Sequence, residues 1–276
     1  MPLLYEIILL FITALLAGTI GNLVGIGGGI IIMVVLLFVF KINPVVAGGL
    51  SLTTIVVSAF IGSLSNLRQN AIHKNLFFKI GVFAVAGSIV GSIMVYFVST
   101  KPFEFLFGLI VICLGIFSVL ATRKDIAKIP NLEKSFNMLS DSEKSYMKAD
   151  PHDNIRIGTY SIIAGIVGGL LGLGIGAIMG TYLTAIKKVN PKIAFSTVLA
   201  AMVLTSIAGA ILHFSVGNLT KNVVMYMIAL SGGAAVGAIG GSYAASILKT
   251  GRLRFIQGYI ILGIGLMDVI LALVYV

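Results

Sequence analysis

The chain has 276 residues, 58% of them apolar and only 10% charged, with a formal net charge of +10 and a mean hydropathy of +1.11. A soluble domain has roughly a quarter of its residues charged, so this composition cannot clothe a water-facing surface; an all-α polytopic membrane protein is expected instead. That excludes a soluble enzyme, a nucleic-acid reader despite the positive charge, and a secreted disulfide scaffold, because Cys113 is the sole cysteine.

In chain order, Met1-Pro2-Leu3-Leu4-Tyr5-Glu6 lacks the basic region and cleavage site of a signal peptide, so the first apolar run is expected to stay in the mature chain. Apolar segments predict helices over 3–23 and 26–40. Between Glu6 and Lys41 lie 34 residues; two arms of about 17 are each about 25 Å long, short of a ~30 Å hydrocarbon core. The turn between them, Gly25-Ile26-Gly27-Gly28-Gly29, is therefore expected below the far surface, as the tip of a hairpin. Pro44, preceded by Asn43, suits a helix N-cap and first turn and opens a segment over 44–66. Segments over 77–98 and 103–121 follow, and Cys113 in the last is expected as a small buried packing residue. Residues 122–156 carry Arg123, Lys124, Asp125, Lys128, Glu133, Lys134, Asp141, Glu143, Lys144, Lys148, Asp150, Asp153 and Arg156. They are expected to form a solvated connector between an N-terminal membrane unit, 1–121, and a C-terminal one, 157–276. There, helices are predicted over 157–173, 175–187, 190–214, 222–247 and 253–275, with a second tip at Gly172-Leu173-Gly174-Ile175-Gly176 and Asn190-Pro191 at a helix start.

Shifted by 147 residues, the sequence aligns with itself: Gly18, Gly21, Gly25, Gly27 and Gly29 fall on Gly165, Gly168, Gly172, Gly174 and Gly176, and Asn43-Pro44 on Asn190-Pro191. Later the offset becomes 150, pairing Gly87 with Gly237, Gly91 with Gly241 and Ser92 with Ser242. The chain is a tandem duplication. If all five segments of a copy cross, or the first two return as a hairpin, only Lys41, Lys101 and Lys221 face one side. The other side receives Arg68, Lys74, Lys79, the connector, Lys187, Lys188, Lys192, Lys249, Arg252 and Arg254. By the positive-inside rule that second side is the cytoplasm of a cell (inner or plasma) membrane, and both termini are expected outside. Because five is odd, the copies are expected in opposite orientations, the inverted-repeat design of many secondary transporters, with the tips meeting near the midplane.

Each tip is also the N-terminus of the following helix, where backbone N–H groups lack intrahelical partners and the dipole favours a small anion. Candidate binding residues are therefore Gly27, Gly28, Gly29 and Ile30 in the first copy and Gly174, Ile175, Gly176 and Ala177 in the second. For Gly62, Gly87, Gly91 and Gly108, close helix packing is the preferred reading. Ser51, Thr53 and Thr54, like Ser196, Thr197 and Thr205, are placed either to complete an anion site or to bond carbonyls of their own helices. Asn66 and His213 match in the repeat and end their helices near water, so a helix-end hydrogen bond and a ligand or gating role are both open. Asp268 is expected to relay a proton or to reach the outer interface. No cofactor is expected: Gly172-x-Gly174-x-x-Ala177 matches a dinucleotide fingerprint, but no strand precedes it and no acid lies about 20 residues on.

The two tips, each followed by Asn-Pro and then by Ala47 to Ser51 or Ala194 to Thr197, together with the His213-x-x-x-Gly217-Asn218 ending, resemble the TauE/SafE family of sulfite and sulfonate exporters. The resemblance implies export of sulfite, sulfoacetate, isethionate or a related organosulfur anion, without enzymatic chemistry. Ile175 in place of a glycine, and Phe195 and Val198 where the first copy has Gly48 and Ser51, count against two equivalent sites. The expected function is outward transport of a small anion by alternating access, in a bilayer whose cytoplasmic leaflet carries anionic lipids, with no nucleic-acid partner. A potential-driven anion channel of the same fold and a non-transporting membrane assembly protein are the alternatives.

Overall fold

The fold is that of a computed structural model, which describes residues 3–126, 151–216, 220–248 and 250–274. Most of the connector, including Pro130 to Lys148, and also Gly217 and Asn218, lie outside the described residues. Among the described residues there are helices and no strands: α1 Leu3–Leu23, α2 Gly29–Val34, α3 Pro44–Arg68, α4 Lys74–Met94 and α5 Thr100–Ile126, then α6 Pro151–Leu171, α7 Gly176–Thr181, α8 Pro191–Val216, α9 Lys221–Ile247 and α10 Thr250–Val274. Seven of these, all but α2, α7 and α10, contain a span long and apolar enough to cross a bilayer. The protein is an all-α, polytopic membrane protein.

The glycine tips are made by backbone that side chains resist. Gly25, Gly27 and Gly28 have φ of 72°, 78° and 87°, and Gly172 and Gly174 have 67° and 68°. The N–H groups of Ile26 and Gly27 donate to the Gly21 carbonyl at 2.8 and 3.1 Å, and that of Leu173 to Gly168 at 3.0 Å, so each turn folds over the end of the helix before it. Beyond the turn, α2 runs for six residues and widens into a π-helical turn, Val35–Val39; α7 does the same at Tyr182–Ile186, at the same 147-residue offset. Both arms end on a lysine in the left-handed region, Lys41 at φ 52° and Lys188 at φ 57°. The first hairpin returns to its own side: Tyr226 on α9 donates to the Glu6 carboxylate near the start of α1, and its ring meets Phe40, past the end of α2, at 6.0 Å. Asn43 then caps α3 by accepting from the Val45 N–H at 2.9 Å, and Asn190 accepts from the Lys192 N–H of α8 at 3.0 Å, as the Asn-Pro pairs predict.

Helices pair across the copies, α1 with α9, α4 with α6, α3 with α8 and α5 with α10. The first two pairs are seams of small residues running parallel. A β-carbon on Gly233, Gly237 or Gly241 would enter the backbone of Phe11, Leu15 or Thr19, and one on Gly87 or Gly91 that of Ile162 or Ile166. The last two pairs join helices that are equivalent in the repeat, and their contacts run in opposite chain directions. Gly48 lies against His213 and Gly209 against Leu52, while Gly108 lies against Asp268 and Gly115 against Leu262.

Two expectations about single residues are overturned. Cys113 is exposed on the outer face of α5 rather than buried. Asp268 does not reach an interface: it is fully buried in the α5–α10 seam, beside Gly108, and neither carboxylate oxygen finds a hydrogen-bond partner among the described residues.

Candidate anion site

The fold brings the two tips together. A β-carbon on Gly29 would stand 2.9 Å from the Leu173 carbonyl oxygen, and one on Gly176 2.5 Å from that of Gly25. Ser51 ties the tips to α3, its hydroxyl donating to the Gly172 carbonyl at 2.7 Å. Gly27, Gly28, Gly29, Ile30, Gly174, Ile175, Gly176 and Ala177 are all buried, with Met202 against Gly27 and Gly174. Beside the first tip is an apolar void of about 10 Å³, lined by Ile20, Ile26, Gly28 and Ile30. That is about the room one water needs. In this conformation the tips are closed on each other, and a sulfonate does not fit in that void.

Most of the candidate hydroxyls bond their own helix. Thr53 donates to Gly49 at 2.9 Å, Thr54 to Leu50 at 2.7 Å and Thr205 to Met202 at 3.1 Å. Thr197 instead accepts the His73 N–H of the α3–α4 turn at 3.0 Å. His213 is not near water: its ring is fully buried, with Nδ1 2.9 Å from the Val45 carbonyl oxygen and Nε2 2.9 Å from that of Gly169. Only an N–H can donate to a carbonyl, so a neutral ring bonds one of them and a doubly protonated ring both.

Asn66 and Ser196 do come together, in a polar cavity of about 130 Å³ that they share with Asn22, Gln69, Lys192 and Ser246. Several waters, or one small oxyanion, fit such a volume. The mouth carries exposed Gln69 and half-buried Lys192, and the floor is Asn22, near the end of α1. The Asn22 Nδ2 donates to Ser58 Oγ at 2.6 Å and to the Gly18 carbonyl at 3.0 Å, while its Oδ1 has no hydrogen-bond partner among the described residues. Lys192 Nζ donates to the Ser246 carbonyl at 3.0 Å, which takes one of the three donors of an ammonium. Phe195 also lines the cavity and packs against Gly25, so one aromatic ring separates this water-accessible space from the first tip. Sequence reasoning missed Asn22, Gln69 and Lys192. Asn22, an amide in an apolar run three residues before the tip, is the one signal that was available.

The family model described as sulfite exporter TauE/SafE matches residues 10–267. The chain belongs to the TauE/SafE family. Among similar proteins, the probable membrane transporter protein YunE of Bacillus subtilis (strain 168) is 25% identical over 277 residues, covering 94% of this chain and 95% of that one. The probable membrane transporter protein MJ0441 of Methanocaldococcus jannaschii is 29% identical over 213 residues, covering 75% and 72%. No solved structure matches the chain. This TauE/SafE chain is therefore a multi-pass membrane transporter, and the polar cavity against its glycine tip is the candidate place for a solute to bind.

Proposed function

We propose that this transporter exports a small organosulfur anion, sulfite, sulfoacetate or a related sulfonate, by alternating access between two oppositely oriented membrane units, 1–121 and 157–276, joined by a cytoplasmic connector. The anion enters at the Lys192 cavity and passes between the tips. Once these part, the N–H groups of Gly28 to Ile30 and Gly174 to Ala177 are available to its oxygens, while that of Gly27 stays on the Gly21 carbonyl of its own hairpin. The observation that carries the reading is the cavity itself. In a bundle that is mostly apolar inside and out, an ammonium, three amides and two serines converge one aromatic ring away from a glycine tip, and ammonium and amide N–H groups suit an oxyanion. The opposite chain directions at the α3–α8 and α5–α10 contacts support the opposed orientation of the units. With the cytoplasm negative, outward movement of one negative charge is favoured by ~2.3 kcal/mol per 100 mV, so export needs no dedicated proton relay.

The test is counterflow of labelled sulfite, sulfoacetate, taurine and sulfate into proteoliposomes. Saturable counterflow of sulfite or a sulfonate is expected. Lys192→Gln should raise its half-saturation concentration roughly tenfold, the worth of one charge-assisted hydrogen bond. Counterflow of none of the four overturns the proposal, and flux that does not saturate favours a channel.

A further inference from the structure

Exchanging the two copies carries the Lys192 cavity onto a second place in the molecule. By the repeat offsets, Asn22, Asn66, Lys192, Phe195, Ser196 and Ser246 map onto Gly169, His213, Val45, Gly48, Gly49 and Tyr96. The structure gathers that second set as it gathers the first, but there the space is filled. The His213 imidazole sits where a β-carbon on Gly48 would stand, 2.7 Å from Nδ1. The Phe214 ring sits in the same way over Gly49, at 2.9 Å. Tyr96 completes the closure by donating from its hydroxyl to the Leu212 carbonyl. The side chains that bound the open cavity at 195 and 196 are thus reduced to glycine on the other side, and the vacated volume receives His213 and Phe214. His213 is also latched: its nitrogens face the carbonyl of Val45 on α3 and that of Gly169 on α6, one from each copy, while the ring itself belongs to α8.

We infer that His213, with Phe214, is the plug that shuts the anion path on the face opposite the Lys192 cavity, and that its withdrawal opens there the second cavity from which the anion leaves. The inference rests on the transport reading above, and it adds that the departures from internal symmetry are the gate. Asn66, the repeat partner of His213, cannot play this part on its own face, because the positions it would need to enter carry Phe195 and Ser196 rather than glycine.

Leu52 and its repeat partner Leu199 are each 1% exposed, but Leu199 lines the open cavity, whereas the Leu52 side chain packs against Gly209. On a Cys113→Ala background, Leu52→Cys and Leu199→Cys are each exposed, in sealed vesicles, to a membrane-impermeant maleimide from either side. Leu199→Cys should react from one face, and Leu52→Cys should be protected. Adding His213→Ala should speed Leu52→Cys labelling from the opposite face by about tenfold or more, as loss of the latch implies. His213→Asn, which keeps one donor group, should fall between. An unchanged Leu199→Cys rate in the His213→Ala background reports intact packing, and Phe214→Ala, which clears Gly49, replaces it if that rate changes. An unchanged Leu52→Cys rate in both backgrounds, or its labelling from the same face as Leu199→Cys, overturns the plug. Faster labelling in a protein that moves none of the four anions keeps the plug and overturns the transport reading instead.

Discussion

Gly28 and Ile175 hold the same place in the two copies and take opposite backbone conformations, φ 87° against −87°. At this one position the first tip therefore depends on a residue without a side chain, and the second does not. A β-carbon on Gly28 would also stand 2.5 Å from the Ala17 carbonyl oxygen, at the end of α1. Left-handed backbone costs about 1–2 kcal/mol for an ordinary residue, and overpacking about 1–3 more. Gly28→Val is accordingly expected to lower the unfolding midpoint of the detergent-solubilised protein markedly, whereas Ile175→Val, which keeps the ordinary backbone conformation and removes one buried methylene, should cost only about 0.5–1.5 kcal/mol. Equal losses in the two variants would mean that the tips share one conformation. Single-residue environments were the least legible part of the sequence. Cys113 and Asp268 sit on helices whose two faces are equally apolar, because lipid and protein core have the same polarity, so hydropathy does not say which face turns inward. Only packing reveals that Cys113 faces out and Asp268 in.

At the scale of elements the sequence was far more explicit. Glycine pairs and the Asn-Pro starts located the hairpins and the helix starts, and the 147-residue offset holds for the π-helical turns as well. The Lys192 cavity was not legible, because its residues come from α1, α3, the α3–α4 turn, α8, α9 and α10, and a repeat says which elements correspond but not which ones touch. The seams supply that missing information. On α9, a β-carbon on Gly237 would meet the backbone of Leu15, while one on Gly240, less than one turn on, would meet nothing within 4 Å among the described residues beyond its own helix. Gly237→Leu should therefore force α1 and α9 apart at a cost of about 3 kcal/mol or more, and Gly240→Leu should stay within about 0.5 kcal/mol of the parent. Thermal unfolding in a common detergent checks both. Comparable destabilisation by the two substitutions would show that α9 does not present this face to α1.

For the whole molecule, the decisive question is how the two copies lie relative to the bilayer. Lys41 and Lys188 occupy equivalent positions at the ends of their hairpins, share left-handed backbone, and are both exposed. In a same-sense duplication they would emerge on one side. In the proposed arrangement they emerge on opposite sides, Lys41 outside among few basic residues and Lys188 in the cytoplasm with Lys187 and Lys192. The contacts favour the second case: α3 and α8 are equivalent, yet Gly48 meets His213 near the far end of α8, and Leu52 meets Gly209 one turn further along. Equivalent helices with the same sense in the membrane would instead bring their matching ends together. On a Cys113→Ala background, Lys41→Cys is expected to react with an impermeant maleimide applied to intact cells, and Lys188→Cys only after the membrane is inverted or permeabilised. Labelling of both from the same face would remove the opposed orientation, and with it the argument that one chain builds an open cavity on one side and a plugged counterpart on the other.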